Sequence, residues 1–281
     1  MSVMRLKLSA FLDRLSGLDR RVVFVLLAAA LVYAVCRPPR LPVSAIDSQT
    51  RKVYELVQSL PEQSFILVAA ELDPANAPEL YPQAQALLRH AFDKNQRVAV
   101  LYFSASAAGV VEGLLRELAR EYPGKRYGED YVLLPFMPDY AAALTQMGTD
   151  FYGIYDKDSS GRDLRGLPVM RGVSKLADVN LAVVFSATTM LDNWVALASD
   201  RFGFRLAGGV TAVVQPRYGP YLQTGQLAGL IGGMKGSADY EALLGKLDGG
   251  AAGLDALNIA NFLALGLILL ANAALWLRRV L

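Results

Sequence analysis

The sequence predicts an α/β protein, a Rossmann-like or flavodoxin-like doubly wound parallel sheet flanked by an N-terminal and a C-terminal transmembrane helix. Between residues 48 and 247, short apolar runs alternate with amphipathic helical segments. Such apolar runs are typical of parallel strands covered by helices on both faces. Two uncharged runs lie outside this domain, and they explain why 53% of the 281 residues are hydrophobic and only 19% are charged.

The last apolar run, residues 257–277, predicts a transmembrane helix. About 20 uncharged residues at a rise of 1.5 Å match a hydrocarbon core of about 30 Å. Trp276 and the arginines of the basic tail 278–281 stand where an aromatic belt and a charged interface belong. Residues 248–256 are predicted to be a linker that joins this helix to the domain.

The first 47 residues predict a second anchor. Residues 1–21 have the spacing of a basic amphipathic helix at a membrane surface, although a frayed tail is an alternative. Residues 22–36 are an uncharged run between arginines, which we interpret as an uncleaved transmembrane anchor, with a signal peptide as the rival interpretation. Prolines in residues 37–47 predict a linker. Positive charges near both runs predict a plasma-membrane protein with cytoplasmic termini and an extracytoplasmic domain.

Inside the domain, strands and helices are predicted from the period of the apolar residues. Strands are predicted at residues 65–72, 97–104, 131–136, 180–187 and 205–214. Helices are predicted at residues 48–60, 78–95, 110–122, 139–147 and 191–202.

Ligands of open α/β sheets bind beyond the carboxyl ends of the strands, so polar residues there are the candidate ligand-binding residues. They are Asp73, Ser104, Ser106, Asp139, Ser186, Thr188 and Thr211, with Glu71 beside them. Carboxylates with hydroxyl groups suit a sugar or a hydrated metal ion. The alternative is that several of these residues are helix caps.

Two further patterns suggest association between helices. Gly225, Gly229 and Gly233 recur every four residues, which would give a small-residue helix face if residues 224–234 are helical; the alternative is a glycine-rich loop. Asn261 and Asn272 fall on one stripe of the final span, and amides in lipid favour a partner helix.

Several classes of function find no support in the composition. A net charge of +2 does not favour nucleic acid. The only cysteine, Cys36, excludes an internal disulfide, and the only histidine, His90, is interpreted as a surface or boundary residue. The acidic stretch 156–161 lacks the glutamate of a calcium loop, so no metal site is predicted. No catalytic residue and no cofactor can be assigned.

Three segments of the chain resemble a family of uncharacterised prokaryotic membrane proteins. They are Tyr218-Gly-Pro-Tyr-Leu-Gln-Thr-Gly-Gln-Leu-Ala-Gly and the residues that follow to Leu244, Leu87-Leu-Arg-His-Ala-Phe92, and Leu18-Asp-Arg-Arg21. The family has no assigned activity. The resemblance implies a membrane-tethered α/β domain and no functional residue.

The expected function is a non-catalytic structural or ligand-binding subunit of a membrane protein assembly. Its expected partners are the lipid bilayer and other membrane subunits or further copies of itself. One alternative is a membrane-tethered enzyme that acts on a sugar, a nucleotide or a lipid headgroup, with Asp73, Asp139 and Ser186 near a shared cleft. Another alternative is a substrate receptor for a transporter.

Overall fold

A computed structural model describes residues 19–39, 41, 45–196 and 200–280. The chain divides into two compact units: a domain unit, Val43–Ala251, and an anchor unit that combines Met1–Pro42 with Ala252–Leu281. Most of the predicted amphipathic tail, residues 1–18, lies outside the described residues.

The domain unit contains a sheet of six parallel strands in the order β3-β2-β1-β4-β5-β6. The α/β prediction is therefore confirmed. Of the two strand orders expected, this is the Rossmann order and not the flavodoxin order. The strands are β1 (Phe65–Ala70), β2 (Arg97–Leu101), β3 (Tyr131–Leu133), β4 (Leu181–Ser186), β5 (Arg205–Val210) and β6 (Leu230–Gly232).

Helices cover both faces of this sheet. In chain order the described helices are α1 (Arg20–Cys36), α2 (Ser48–Ser59), α3 (Ala77–Asp93), α4 (Ala108–Glu121), α5 (Tyr140–Met147), α6 (Met190–Trp194), α7 (Asp200–Phe202), α8 (Gly219–Gln223), α9 (Gly233–Leu243) and α10 (Gly249–Val280).

Alternate residues of the central strands enter separate cores, because successive side chains of a strand point to opposite faces. Ile66 and Val68 pack in one core with apolar residues of α2, α3, α4 and α9. Phe65 and Leu67 pack in the other core with α5, α6 and the irregular segment 148–180, which contains short 3₁₀ turns.

Of the two alternatives for residues 224–234, the helical one is wrong, because this segment holds a turn followed by strand β6. Gly225 has a φ of +79° in a turn, and Gly233 has a φ of +58° at the first residue of α9. Gly229 comes just before β6, where an added Cβ would lie 3.0 Å from the Gln49 carbonyl oxygen and from the Val53 amide nitrogen. Gly225 and Gly233 therefore allow backbone conformations that other residues rarely adopt, and Gly229 allows the chain to approach α2 closely. The three glycines do not form a helix face.

The final helix is longer than the sequence predicted. It begins at Gly249, so nearly all of the predicted linker 248–256 is helical. Within the described ranges, the segment Gly249–Leu277 is the one helix long and apolar enough to cross a membrane. It is hardly buried: Phe262 is 72% exposed and Trp276 is 64% exposed. A core helix of a soluble protein would be mostly buried.

The predicted first anchor is a helix, but a short one. Helix α1 has 17 residues, and Phe24, Val25 and Val35 are largely exposed. Its N-terminus is capped by Asp19, whose carboxylate accepts a hydrogen bond from the Arg21 amide at 2.9 Å. Within the anchor unit, the Leu41 amide donates to the Asp255 carboxylate of α10 at 3.3 Å.

Candidate functional site

The candidate site lies at the carboxyl ends of β1 and β4. These two strands are neighbours in the sheet, and the chain continues from β1 toward β2 and from β4 toward β5, on opposite sides. Parallel sheets of this kind bind ligands at such a switch point, because the loops that follow the two strands separate and leave a crevice. We call the region between these two loops the crevice, and its first residues come directly after Ala70 and Ser186.

Glu71 is the central polar group of the crevice. Its backbone amide extends the strand pairing by donating to the Phe185 carbonyl at 2.9 Å. Its Oε2 accepts hydrogen bonds from Ser186 Oγ at 2.5 Å and from Thr188 Oγ1 at 3.0 Å, and the residue is 8% exposed. Burial raises the pKa of Glu71, and the charge of Asp73 adds to this effect, while the two hydroxyl hydrogen bonds oppose it.

Asp73 forms a second polar cluster at the same edge, together with the loop that follows β2. Ser104 Oγ donates to Asp73 Oδ1 at 2.8 Å, and Ser106 Oγ donates to the same oxygen. The two serine hydroxyls also lie 2.8 Å apart. Three of the candidate residues, Asp73, Ser104 and Ser106, therefore lie together. The structure does not support the capping alternative for Asp73, because Asn76 is the N-cap residue of α3.

Tyr218, from the segment after β5, contacts the crevice, and the sequence reasoning missed it. Its side chain is fully buried, and its hydroxyl donates to the Thr188 carbonyl at 3.1 Å. Burial raises the pKa of Tyr218. The nearby carboxylates of Asp192 and, to a smaller extent, Glu71 raise it further. Asp192 Oδ2 lies 3.0 Å from Arg217 Nε, which places an ion pair beside the tyrosine. Tyr218 opens the segment that carries the family resemblance, and that was the only sequence signal for it.

Asp139 and Thr211 do not join these clusters. Asp139 caps α5, since its Oδ1 accepts a hydrogen bond from the Ala142 amide at 3.0 Å. The Thr211 carbonyl accepts the amides of Val214 and Gln215, each at 3.2 Å, which makes Thr211 the first residue of the turn after β5. The structure therefore supports the capping alternative for Asp139.

A second cleft lies at the opposite, amino-terminal edge of the sheet. It is lined by Gln63, Arg97, Glu129, Asp130, Pro168 and Arg171. The Arg97 guanidinium donates to the carbonyl oxygens of Gln63, Val169 and Arg171 at 2.8, 2.9 and 2.6 Å. Because these carbonyls occupy three of the five N–H groups of the guanidinium, Arg97 holds the irregular segment in place, and we assign this cleft no ligand.

The described residues contain no group of three or more histidine, cysteine or acidic side chains that could hold a metal ion. In the acidic stretch that resembles a calcium loop, Asp158 Oδ1 accepts hydrogen bonds from Ser160 Oγ and from the Ser160 and Arg162 amides, and its Oδ2 accepts Arg162 Nε. These bonds fix the local turn.

Comparisons of the chain with protein-family models, with curated proteins and with solved structures found no match. The family resemblance noted in the sequence stays a prediction. Functional inference therefore depends on the geometry of the crevice and on the exposed apolar helix.

Proposed function

We propose that the protein is a membrane-anchored subunit of a membrane protein assembly, in which the α/β domain has a structural or ligand-binding role without catalysis. The observation that carries this proposal is the exposure of α10, where Leu269 is 61% exposed and Leu270 is 57% exposed. Leaving this much apolar surface in water would cost about 25 cal/mol per Å². A bilayer removes that cost.

In the membrane topology that we propose, the chain has two spans, both termini are cytoplasmic, and the domain lies outside the plasma membrane. Helix α1 would be the second span. Its 17 residues extend about 25 Å, so the flanking arginines would have to reach the headgroups or the bilayer would have to thin. The exposed apolar side chains of α1 support this arrangement, as do the arginines at residues 20, 21, 278 and 279.

Cysteine labelling in intact cells tests the anchor, because Cys36 is the only cysteine. In a Cys36→Ser background, a membrane-impermeant maleimide should label Val213→Cys, a domain residue that is 86% exposed. Arg279→Cys should react only after permeabilisation. Equal labelling of both sites in intact cells would mean that α10 does not cross the membrane, and the proposal would fail.

The same reagent tests the second span. Native Cys36, which is exposed, should be labelled in intact cells, whereas Ser9→Cys in the Cys36→Ser background should be protected until permeabilisation. If Ser9→Cys and Cys36 behave alike while the α10 sites differ, the protein has one span and α1 is not an anchor.

For a ligand-binding role, we place the ligand in the crevice around Glu71 and Asp73. The hydroxyl groups there already donate to the two carboxylates, so a ligand with hydroxyl or ammonium donors of its own is favoured. The enzyme alternative has one observation in its favour: a buried carboxyl group with a raised pKa beside a serine hydroxyl suits proton transfer. A substrate receptor would use the same crevice.

Mass spectrometry of small molecules that copurify with the full chain separates these roles. A binding subunit should release the same compound after incubation, an enzyme should convert it, and a purely structural domain should yield none. Glu71→Gln should reduce the recovered amount at least tenfold. Asp139→Asn, which changes a helix cap outside the crevice, is the matched control and should leave the amount unchanged.

A further inference from the structure

We infer that one exposed face of α10 pairs in the membrane with the same face of a second copy of this chain. This inference rests on the proposed membrane location. The face, which we call the asparagine stripe, consists of Asn258, Asn261, Leu265, Ile268, Asn272 and Leu275. These residues are spaced alternately by three and four positions, which is the a and d spacing of a heptad repeat.

The stripe lies on the outer side of the anchor unit. Asn258 is half-buried, and the other members of the stripe are exposed. The opposite side of the helix is more covered: Ala260, Leu263 and Leu267 are half-buried, and Ala274 is only 2% exposed. The asparagines therefore project away from the rest of their own unit, toward whatever surrounds the helix.

Lipid cannot satisfy the amides of this stripe. Asn272 Nδ2 donates to the Ile268 carbonyl at 2.8 Å, which leaves its Oδ1 as an acceptor. Over the described residues, no hydrogen bond involves the Asn261 side chain. An amide in hydrocarbon without a partner is unfavourable, and transmembrane helices resolve this by hydrogen bonding across a helix interface.

A second copy of the chain fits the stripe better than an unrelated helix. Copies inserted with the same topology are parallel, so in an in-register pair each a or d residue meets its own counterpart. Asparagine has both a donor and an acceptor, which makes Asn261 and Asn272 self-complementary. The stripe has no charge that would repel its copy. Leu265 and Ile268 lie between the two amides and supply the apolar contact.

Disulfide cross-linking in native membranes tests the pairing. In the Cys36→Ser background, Ile268→Cys places a thiol on the stripe, and Leu270→Cys places one about 200° around the helix. The two positions are matched in exposure, at 58% and 57%. Oxidation should give at least ten times more covalent dimer from Ile268→Cys. Adding Asn261→Leu and Asn272→Leu should reduce that yield severalfold.

Each other outcome contradicts the inference in a distinguishable way. Equal yields from the two cysteines would indicate random collision, and an adduct of another mass would identify a different partner. Inserted protein that forms no dimer at Ile268→Cys would overturn the pairing and leave the anchor intact. Protein that alkaline buffer extracts from the membrane would overturn the anchor as well.

Discussion

His90 shows how one buried side chain joins three helices of the domain. It is 2% exposed, so the interpretation as a surface or boundary residue is wrong. Its Nε2 lies 3.0 Å from Gln58 Oε1, which can only accept, and its Nδ1 lies 2.9 Å from the Tyr240 hydroxyl. The ring therefore carries its proton on Nε2, and Tyr240 donates to Nδ1. It also stacks on Tyr54 at 4.5 Å.

This geometry predicts a loss of stability in mild acid. Burial, and secondarily Lys94, lowers the pKa of His90 from 6.5 to about 4. The unfolded chain therefore binds the proton first, and the free energy of unfolding should fall as the pH drops from about 6.5 to about 4. The total loss should be about 3 kcal/mol. Urea unfolding at several pH values measures it. His90→Gln should have a flatter profile, and an unchanged profile would contradict the assignment.

At the residue scale, several of the hydroxyl and acidic residues that the sequence places at strand ends contact one another, because the sheet order brings those ends together. Asp73, Ser104 and Ser106 meet, as do Glu71, Ser186 and Thr188. The sequence could not show which of these residues cap helices. Tyr218 and Asp192 were missed because their place in the crevice depends on packing between segments that are distant in the sequence.

At the element scale, the alternation of strands and helices was readable because each strand is an apolar run of its own. Strand β6 was not readable, since its three residues between glycines are too few to show a periodic pattern. Helix α3 shows another limit. Its outer face is covered by α4 and α9, so polar residues such as Gln85 and Arg89 are buried and paired with Glu117 and Glu121.

The early start of α10 also has a physical cause outside the local sequence. Glycines at positions 249, 250 and 253 disfavour a helix by about 1 kcal/mol each, so the local sequence alone does not favour this start. Glu241 of α9 offsets this. Its carboxylate is almost fully buried and accepts the amides of Asp248 at 2.8 Å, Gly250 at 2.7 Å and Ala251 at 2.9 Å. It thus caps the helix from another element.

Glu241→Ala should therefore destabilise the domain unit by about 2–3 kcal/mol, because three amides at a largely buried helix start lose their acceptor. Glu241→Gln keeps one carbonyl acceptor and should lose roughly half as much. Urea unfolding measures both variants. Glu62→Ala, on an exposed turn residue, is the matched control and should change little. Equal stability of Glu241→Ala and the wild-type chain would contradict the capping role.

At the scale of the whole molecule, the two units differ in how much of their apolar surface is buried. The domain unit buries two apolar cores in water, whereas α10 satisfies its own backbone and exposes its side chains. The chain has two tryptophans, one in each unit: Trp194 is fully buried in the domain, and Trp276 lies on α10. Each unit therefore carries its own fluorescent reporter.

Urea titration of the full chain in detergent micelles should separate the two units. In Trp276→Phe, the emission of Trp194 should shift to the red in one cooperative transition, because unfolding exposes a buried indole. In Trp194→Phe, the emission of Trp276 should stay constant over the same range, because detergent keeps α10 helical and urea has no buried core to expose there. A Trp276 transition at the midpoint of the domain would mean that α10 belongs to the aqueous fold, and the membrane anchor would be refuted.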